Sequence, residues 1–319
     1  MSSVPLVICL MGPTATGKTA LAIELARRLP VGVISVDSAL VYRRMNIGTG
    51  KPEPALLAEI PHRLIDVRDP WESYSAGEFL RDVRTAIAEV VAAGRVPLLV
   101  GGTMLYFRSL WQGLSALPGG DSQVRAAIDR RAAAIGWPAL HAELARVDPS
   151  SAERLRPTDR QRIQRALEVW QLTGVPLSAQ QGRALPPDDL RFLRIALIPG
   201  ERQLLHARIE ARFSAMLAQG FVGEVAGLMQ LPEMRTERPA MRAVGYRQLW
   251  AMLAGNHDRA EAERRALAAT RQLAKRQLTW LRHEVCEQCF AMEESHLPAK
   301  VEALLHSHGV QDALSVSSG

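Results

Sequence analysis

The stretch "GPTATGKT" (residues 12–19) has glycines and a lysine at the spacing of a phosphate-binding loop. Glycine permits the tight turn that brings backbone N–H groups together around an anion. Lys18 can reach the outer phosphate, and the Thr19 hydroxyl suits a phosphate-bound Mg²⁺. The loop follows the apolar run "VPLVICLM" (4–11) and precedes the amphipathic "KTALAIELARRL" (18–29). This order of strand, loop and helix predicts a helix N-terminus aimed at a phosphate group.

The composition indicates a large globular protein without membrane or disulfide signals. The chain has 319 residues, 47% hydrophobic and 23% charged, which is enough for a sizeable core and more than one structural unit. The stretch "MSSVPLVICLMG" (1–12) has no basic flank and does not resemble a signal peptide, and no apolar run is long enough to cross a bilayer. Three cysteines, Cys9, Cys286 and Cys289, are too few for a disulfide framework. We therefore expect a cytoplasmic protein that does not bind membranes, and we expect a monomer.

The charge distribution favours a polyanionic partner. The net charge is +6, and arginines concentrate in three helical stretches, at 124–136, 154–170 and 270–284. Any one of these stretches alone is equally well explained as a solvated helix face. Three in one chain favour a nucleic acid.

The pattern of predicted elements divides the chain into four segments. Strands at 31–37 and 96–102 alternate with helices such as 75–94, which predicts a parallel sheet covered by helices. The Arg- and Ala-rich region after "LSALPGGDS" contains no strand pattern, and "LRFLRIALIPG" (190–200) then resumes the sheet. We predict a first core segment (1–117), a helical insertion (118–190), core completion with C-terminal helices (191–308) and a disordered tail (309–319).

Polar residues at the ends of two further strands complete a candidate site. Ligands of open α/β sheets bind beyond the carboxyl ends of the strands, so Asp37 and Thr103 are expected to lie near Lys18. Taken singly, Asp37 could cap a helix and Thr103 could belong to a turn. The third strand ends in Gly101, Gly102 and Thr103, without the aspartate that usually holds Mg²⁺ in hydrolytic relatives. Asp37 is then best placed as a general base for an incoming nucleophile.

Eight motifs together resemble the bacterial tRNA dimethylallyltransferases. They are "GPTATGKT" (12–19), "DSALVYRRMNIGTGKP" (37–52), "PHRLIDVRDP" (61–70), "YSAGEF" (74–79), "GGTMLYF" (101–107), "RIEARFSAMLAQGFVGEV" (208–225), "RAVGYRQLW" (242–250) and "TRQLAKRQLTWLR" (270–282). The resemblance runs in order from about residue 6 to 283. It implies a P-loop NTPase-like α/β core with a parallel sheet, a helical insertion domain and a helical C-terminal region.

The implied reaction moves a dimethylallyl group from dimethylallyl diphosphate to N6 of the tRNA adenosine next to the anticodon. Asp37 would be the base, Thr103 would bind near the reacting amine, Lys18 would stabilise the leaving diphosphate, and Thr19 would hold Mg²⁺. Arg212 would contact the diphosphate, and Arg208, one helical turn earlier, would join it, unless both form surface ion pairs. The full diphosphate set is Gly12, Pro13, Thr14, Ala15, Thr16, Gly17, Lys18, Thr19, Arg208 and Arg212.

The resemblance also implies contacts with the anticodon stem-loop of tRNA, from which the base must be flipped out before it reacts. The residues concerned are Asp37, Ser38, Ala39, Leu40, Thr103, Arg125, Gln161, Arg162, Ile163, Gln164, Arg165, Arg242, Ala243, Val244, Gly245, Tyr246, Arg247, Lys275, Arg276, Gln277, Leu278, Thr279, Trp280, Leu281 and Arg282.

Two other motifs and two other functions fit this sequence less well. "CEQC" (286–289) lacks histidines at zinc-finger spacing, so no zinc site is expected, and "GTGK" (48–51) is too short for a second phosphate loop. The main alternative function is a small-molecule P-loop kinase, but the insertion is much longer than a kinase lid. A non-catalytic RNA-binding module would leave Asp37, Thr103 and the phosphate loop without a role.

Overall fold

The computed structural model describes residues 4–115, 117–182 and 188–311. The strands of this part are β1 (Leu6–Met11), β2 (Val31–Val36), β3 (His62–Arg63), β4 (Val96–Gly101), β5 (Arg191–Ile198) and β6 (Gln288–Ala291). The helices are α1 (Lys18–Arg28), α2 (Pro54–Glu59), α3 (Ala76–Ala92), α4 (Met104–Gln112), α5 (Ser122–Ile135), α6 (Trp137–Val147), α7 (Pro149–Arg154), α8 (Arg160–Thr173), α9 (Leu177–Gln180), α10 (Arg202–Ala218), α11 (Phe221–Met229), α12 (Tyr246–Leu253), α13 (Arg259–Leu281) and α14 (Leu297–Ser307), with a 3-10 helix at Pro239–Arg242.

The strands form one parallel sheet in the order β3-β2-β4-β1-β5-β6. β1 lies inside the sheet between β4 and β5, and its residues from Val7 to Met11 are buried. A strand that is buried on both faces reads as a continuous apolar run, which explains the pattern of "VPLVICLM". The predicted α/β class with a parallel core is therefore confirmed.

Two strands at the sheet edges were not predicted. β3 has two residues, and β6 falls in a C-terminal region that the sequence suggests is mostly helical. β6 pairs with β5 with Ala196 opposite Cys289, so "CEQC" leads into an edge strand. Short edge strands expose half of their residues and carry little of the apolar pattern that marks buried strands.

Helices pack on the sheet through the residues that give them amphipathic patterns. Leu21 and Leu25 of α1 join Ile8 and Leu10 of β1 in a core that extends to α10, α13 and α14. α3 packs against β2 and β4. Its start is fixed by a capping box, in which the Ser75 hydroxyl accepts a hydrogen bond from the Glu78 N–H and the Glu78 carboxylate accepts one from the Ser75 N–H.

The chain divides into two compact units, Met1–Ser109 with Asp188–Gly319 and Leu110–Pro187. The second unit contains α5 to α9 around its own core, which includes Ile128, Leu140 and Ile163. The helical insertion was predicted at 118–190, where Pro118, Gly119 and Gly120 suggested a boundary. In the structure these turn residues belong to the second unit, ahead of α5.

The end of the described chain differs from the predicted tail. Val310 is buried in the core beside Leu305 of α14, so the prediction of disorder from residue 309 is wrong at Val310. Residues 312–319 of the predicted tail lie outside the described residues. Among the helices of the described chain, none combines the length and the apolar character needed to span a membrane.

Candidate active site

The glycine loop at residues 12–17, here called the phosphate loop, connects β1 to α1 at the carboxyl edge of the sheet. Ala15 and Gly17 have positive φ angles of 66° and 89°, and Gly17 stands at the N-cap of α1. No side-chain cap bonds the first turn of α1, and that turn carries no acidic residue. The amides there are therefore arranged for an anion rather than for an internal carboxylate.

Lys18 lies beneath the loop and is 9% exposed. Its ammonium group donates to the Pro13 carbonyl at 2.5 Å and lies 3.4 Å from the Thr16 hydroxyl, which itself donates to Pro13 at 2.9 Å. Burial lowers the pKa of Lys18 to about 7; Asp37 acts to raise this pKa, and Arg212 acts to lower it. Lys18 therefore has charged groups around it but only neutral hydrogen-bond partners among the described residues.

Asp37 follows β2 directly, and its carboxylate caps a turn. Oδ1 accepts hydrogen bonds from the N–H groups of Ala39 at 2.7 Å and Leu40 at 3.3 Å. No described residue donates a hydrogen bond to Oδ2. The half-buried carboxylate is thus oriented through one oxygen, and the second oxygen is available to accept a proton.

Thr103 is hydrogen-bonded to Ser38, the residue after Asp37. The Thr103 hydroxyl accepts a hydrogen bond from the Ser38 N–H at 3.0 Å and donates to the Ser38 hydroxyl at 3.3 Å. Gly101 permits this approach, because a Cβ there would overlap the Val36 carbonyl group. The prediction that the ends of β2 and β4 bring Asp37 and Thr103 together agrees with this geometry.

Two arginines of α10 lie near these loops. A Cβ at Gly17 would be 3.9 Å from Nη1 of Arg208, which places that guanidinium beside the phosphate loop. Arg212 donates to the Thr49 carbonyl at 3.0 Å. Within the described residues Glu210 of α10 pairs with Arg271, whereas neither Arg208 nor Arg212 forms an ion pair with a carboxylate, so the alternative of surface ion pairs is not what the structure has.

Thr19 is the residue assigned to a metal ion. Its side chain is exposed in the first turn of α1, and no hydrogen bond from another described residue engages its hydroxyl. The described residues contain no group of three or more His, Cys, Asp and Glu side chains that could hold a metal. The Thr19 hydroxyl is an oxygen ligand of the type that divalent cations accept together with substrate phosphates.

A second glycine loop at residues 46–51 has its amides occupied by a carboxylate. Glu224 accepts hydrogen bonds from the N–H groups of Asn46 at 2.8 Å, Ile47 at 2.7 Å and Gly48 at 3.1 Å. The Tyr246 hydroxyl donates to the same carboxylate at 2.5 Å, and burial, followed by the charge of Glu224, raises the pKa of Tyr246. The sequence did not indicate this role of Glu224, because Glu224 lies 178 positions after Asn46 in the chain.

The residues assigned to tRNA fall into exposed and buried groups. The exposed positions are Ser38, Gln161, Arg162, Arg242, Arg247, Lys275, Arg276, Thr279 and Arg282. Ala39, Leu40, Ala243, Val244, Gln277, Leu278 and Trp280 are half-buried. The Trp280 ring lies under the guanidinium of Arg108, whose Cζ is 5.6 Å from the ring centroid.

Three of these side chains lie in hydrophobic cores. Ile163 and Tyr246 are fully buried, and Leu281 is 7% exposed. Gly245 is also buried, against Phe221 and Phe213. Packing leaves the side chains of Ile163, Tyr246 and Leu281 almost no exposed surface for RNA, because the same motifs carry the apolar face that the fold needs.

Arg125 and Arg165 belong to an ion-pair cluster within the second unit. Both donate to the fully buried carboxylate of Glu168, at 2.8 and 2.7 Å for the shortest bonds, and Arg165 also donates to the Pro118 carbonyl at 2.7 Å. Burial is the largest single influence on the pKa of Glu168 and acts to raise it. The hydrogen bonds from the two arginines act in the opposite direction, and the pKa is lowered overall. Gln164 donates to Asp129 at 2.7 Å. The two guanidiniums therefore neutralise a buried charge, which their predicted RNA role did not anticipate.

A parallel sheet with a phosphate loop after an inner strand defines a P-loop α/β protein. The family description "IPP transferase" matches residues 40–284, and "Isopentenyl transferase" matches residues 5–74. A tRNA dimethylallyltransferase of Thioalkalivibrio sulfidiphilus is 57% identical over 308 residues, which cover 95% of each chain. The chain belongs to the IPP transferase family, as the sequence motifs predicted.

Solved structures share the fold. The full-length tRNA isopentenylpyrophosphate transferase of Bacillus halodurans superposes with a TM-score of 0.69 at 32% identity, over 96% of each chain. A eukaryotic dimethylallyltransferase acting on tRNA shares the fold with a TM-score of 0.75 at 24% identity, over 95% of this chain and 79% of the other.

Proposed function

We propose that this chain transfers a dimethylallyl group from dimethylallyl diphosphate to N6 of the adenosine next to the anticodon of tRNA, releasing diphosphate. The observation that carries the proposal is the arrangement at one sheet edge. The buried Lys18 follows a glycine loop that leads into α1, a helix without a side-chain cap, and the charge of Asp37 acts on the pKa of this lysine. Asp37 in turn precedes Ser38, which is hydrogen-bonded to Thr103. The relatives named tRNA dimethylallyltransferase support tRNA and a dimethylallyl donor as the substrates.

The chemistry requires a base next to the nucleophile. The N6 amine is a weak nucleophile because its lone pair is delocalised into the adenine ring. As N6 forms a bond to the allylic carbon, the bond from that carbon to oxygen breaks and its electron pair leaves with the diphosphate. Asp37 Oδ2 is proposed to accept the N6 proton, and the Thr103 hydroxyl, which bonds to the residue after Asp37, is proposed to orient the amine.

The leaving diphosphate develops negative charge, which the phosphate loop is suited to stabilise. The amides of the first turn of α1 lack a side-chain acceptor and are proposed to bind it, and Lys18, Arg208 and Arg212 would supply positive charge. Mg²⁺ held by the Thr19 hydroxyl and by diphosphate oxygens would neutralise further charge. The diphosphate set is thus proposed to be residues 12–19 with the two arginines.

The anticodon stem-loop of tRNA is proposed to bind through exposed cations and the turn after Asp37. The cations proposed for this role on the sheet-containing unit are Arg242, Arg247, Lys275, Arg276 and Arg282. Arg162, whose side chain is 72% exposed, supplies one on the helical unit. Contacts of this kind grip the RNA backbone while the reacting base leaves the stack. We further propose that the enzyme acts as a cytoplasmic monomer.

Transfer of label tests this function directly. Purified protein is incubated with radiolabelled dimethylallyl diphosphate, Mg²⁺ and unmodified tRNA, and label in the RNA is counted. A tRNA with guanosine in place of the target adenosine is the matched control, since it lacks the N6 amine. Label in the adenosine tRNA alone is expected. Equal label in both, or none in either, would contradict the proposal. Label moving from γ-labelled ATP to a small acceptor would favour the kinase instead.

A further inference from the structure

Gln277 of α13 bridges the phosphate loop to the loop after β4. Its Oε1 accepts a hydrogen bond from the Thr14 N–H at 2.9 Å, and its Nε2 donates to the Gly102 carbonyl at 2.9 Å. The side chain is half-buried, whereas its neighbours Lys275 and Arg276 are exposed. One planar amide therefore uses its acceptor on one active-site loop and its donor on the other.

The bridge continues to the proposed base through bonds already described. Gly102 precedes Thr103, whose hydroxyl bonds to Ser38, and Ser38 follows Asp37. A chain of hydrogen bonds and peptide links thus runs from Thr14, on the diphosphate side, to Asp37, on the side of the amine. Gln277 is the link in this chain that comes from neither loop.

Gly102 leaves room for the amide. A Cβ at this position would overlap Nε2 of Gln277 and lie 3.1 Å from the Gly12 carbonyl oxygen. The overlapping atom is the end of a flexible side chain, so alanine at 102 would displace the amide, with a small accompanying shift at the Gly12 carbonyl. The bridge can therefore be broken from either end.

We propose that Gln277 is a positioning residue that fixes the distance between the diphosphate and the acceptor amine, and that it is not an RNA contact. The inference rests on the proposed transfer reaction. Reacting atoms must be held close to their attack geometry, and a misplacement of about 1 Å can cost roughly 10²-fold in rate. A bridge between the two loops holds that geometry, whereas it adds nothing to the affinity of tRNA for exposed cations.

Single-turnover kinetics test this role with Gln277→Met, which keeps the volume but removes both bonds, with Gly102→Ala, and with the double variant. We expect each single variant to lower the transfer rate at saturating substrates by roughly 10²-fold. The double variant should be no slower than the slower single variant, because both changes break one bridge. The dissociation constant for tRNA should stay within about twofold of the wild-type value. The midpoint of thermal unfolding should stay within a few degrees of the wild type.

Arg276→Ala, on the exposed side of the same helix, is the matched control and should weaken tRNA binding instead. A wild-type rate in Gln277→Met, or effects that multiply in the double variant, would overturn the inference. So would a Gln277→Met variant with weaker tRNA binding but a normal rate at saturation.

Hydrogen exchange at the Thr14 amide separates this inference from the proposed function. Exchange should rise in both single variants whether or not label reaches RNA, and unchanged exchange would overturn the bridge. If the wild-type protein transferred no label, the proposed function would fall, and with it the catalytic consequence of the bridge.

Discussion

The two glycine loops of the sheet-containing unit look alike in sequence and differ in what their amides bind. The phosphate loop (12–17) leads into Lys18, and among the described residues only its Thr14 amide is taken by a side chain. The second loop (46–51) ends in Lys51, and Glu224 takes three of its amides. Lys51 itself donates to Asp66, to Asn46 and to the Tyr42 carbonyl. The second loop therefore already has an anionic acceptor for its amides, whereas most amides of the phosphate loop have no side-chain acceptor among the described residues.

The second loop contributes to the site indirectly. Its Thr49 carbonyl accepts a hydrogen bond from Arg212, and Gly50 leaves space for the same guanidinium. Glu224 and Tyr246 thus hold a loop that positions an arginine of the proposed diphosphate site. The first loop is expected to bind substrate, and the second is expected to support the fold. The predictions that follow test this division.

The largest effect is expected beside the first loop, at Asp37. Asp37→Asn keeps an oxygen for the Ala39 and Leu40 amides but removes the base, so the single-turnover rate should fall by ~10²–10⁴-fold. The affinity for diphosphate should stay nearly intact. A rate within a few-fold of the wild type would remove Asp37 from the mechanism.

The two lysines provide a direct contrast. Lys18→Met should lower the transfer rate by ~10²–10³-fold and weaken diphosphate binding, because it removes the positive charge proposed to stabilise the leaving group. Lys51→Met should leave diphosphate affinity within a few-fold of the wild type and lower the free energy of unfolding, since it breaks the contacts with Asp66, Asn46 and Tyr42. Diphosphate titrations and urea unfolding of both variants check this, and interchanged results would refute the division.

Replacing Glu224 should lower the free energy of unfolding more than it changes the electrostatics of the proposed diphosphate site. Glu224→Ala leaves three loop amides and the buried Tyr246 hydroxyl without their acceptor, which should lower the free energy of unfolding by about 1–3 kcal/mol. Glu237→Ala, at an exposed carboxylate bonded to Thr236, is the control and should change little. Equal unfolding free energies for the two variants would mean that the second loop needs no carboxylate.

Diphosphate binding should depend on pH through Lys18. Its pKa of about 7 is lowered by burial, and a bound diphosphate would raise it, so binding takes up a proton above pH 7. Affinity should therefore be greatest below about pH 7 and fall as the pH rises, by up to about tenfold per pH unit. Calorimetry at pH 8 in two buffers of different ionisation enthalpy measures the proton uptake. The uptake should vanish in Lys18→Met, and persistence there would assign it to another group.

Local patterns predicted the part of the site that is local in sequence. Buried strands, the positive-φ glycine and the residues after β2 and β4 all follow from motifs of a few residues, so Lys18, Asp37 and Thr103 could be placed before the structure. The parallel core followed from the same alternation of strands and helices.

The supporting contacts could not be predicted in this way, because they join distant segments. Gln277 reaches Thr14 across 263 positions, and Glu224 reaches Asn46 across 178. Neither lies in a pattern that specifies its partner. A motif also contains both exposed and buried residues, and the sequence does not distinguish them. Tyr246 and Ile163 were therefore predicted to contact RNA although both are buried.

Hydrogen–deuterium exchange with and without inorganic diphosphate tests the central claim most directly. It reads the amides of both loops in one sample of unaltered protein. We expect diphosphate to slow exchange in peptides covering residues 12–19 and to leave peptides covering 46–48 unchanged, because Glu224 already holds those amides. Slowed exchange at 46–48 without any change at 12–19 would contradict the account.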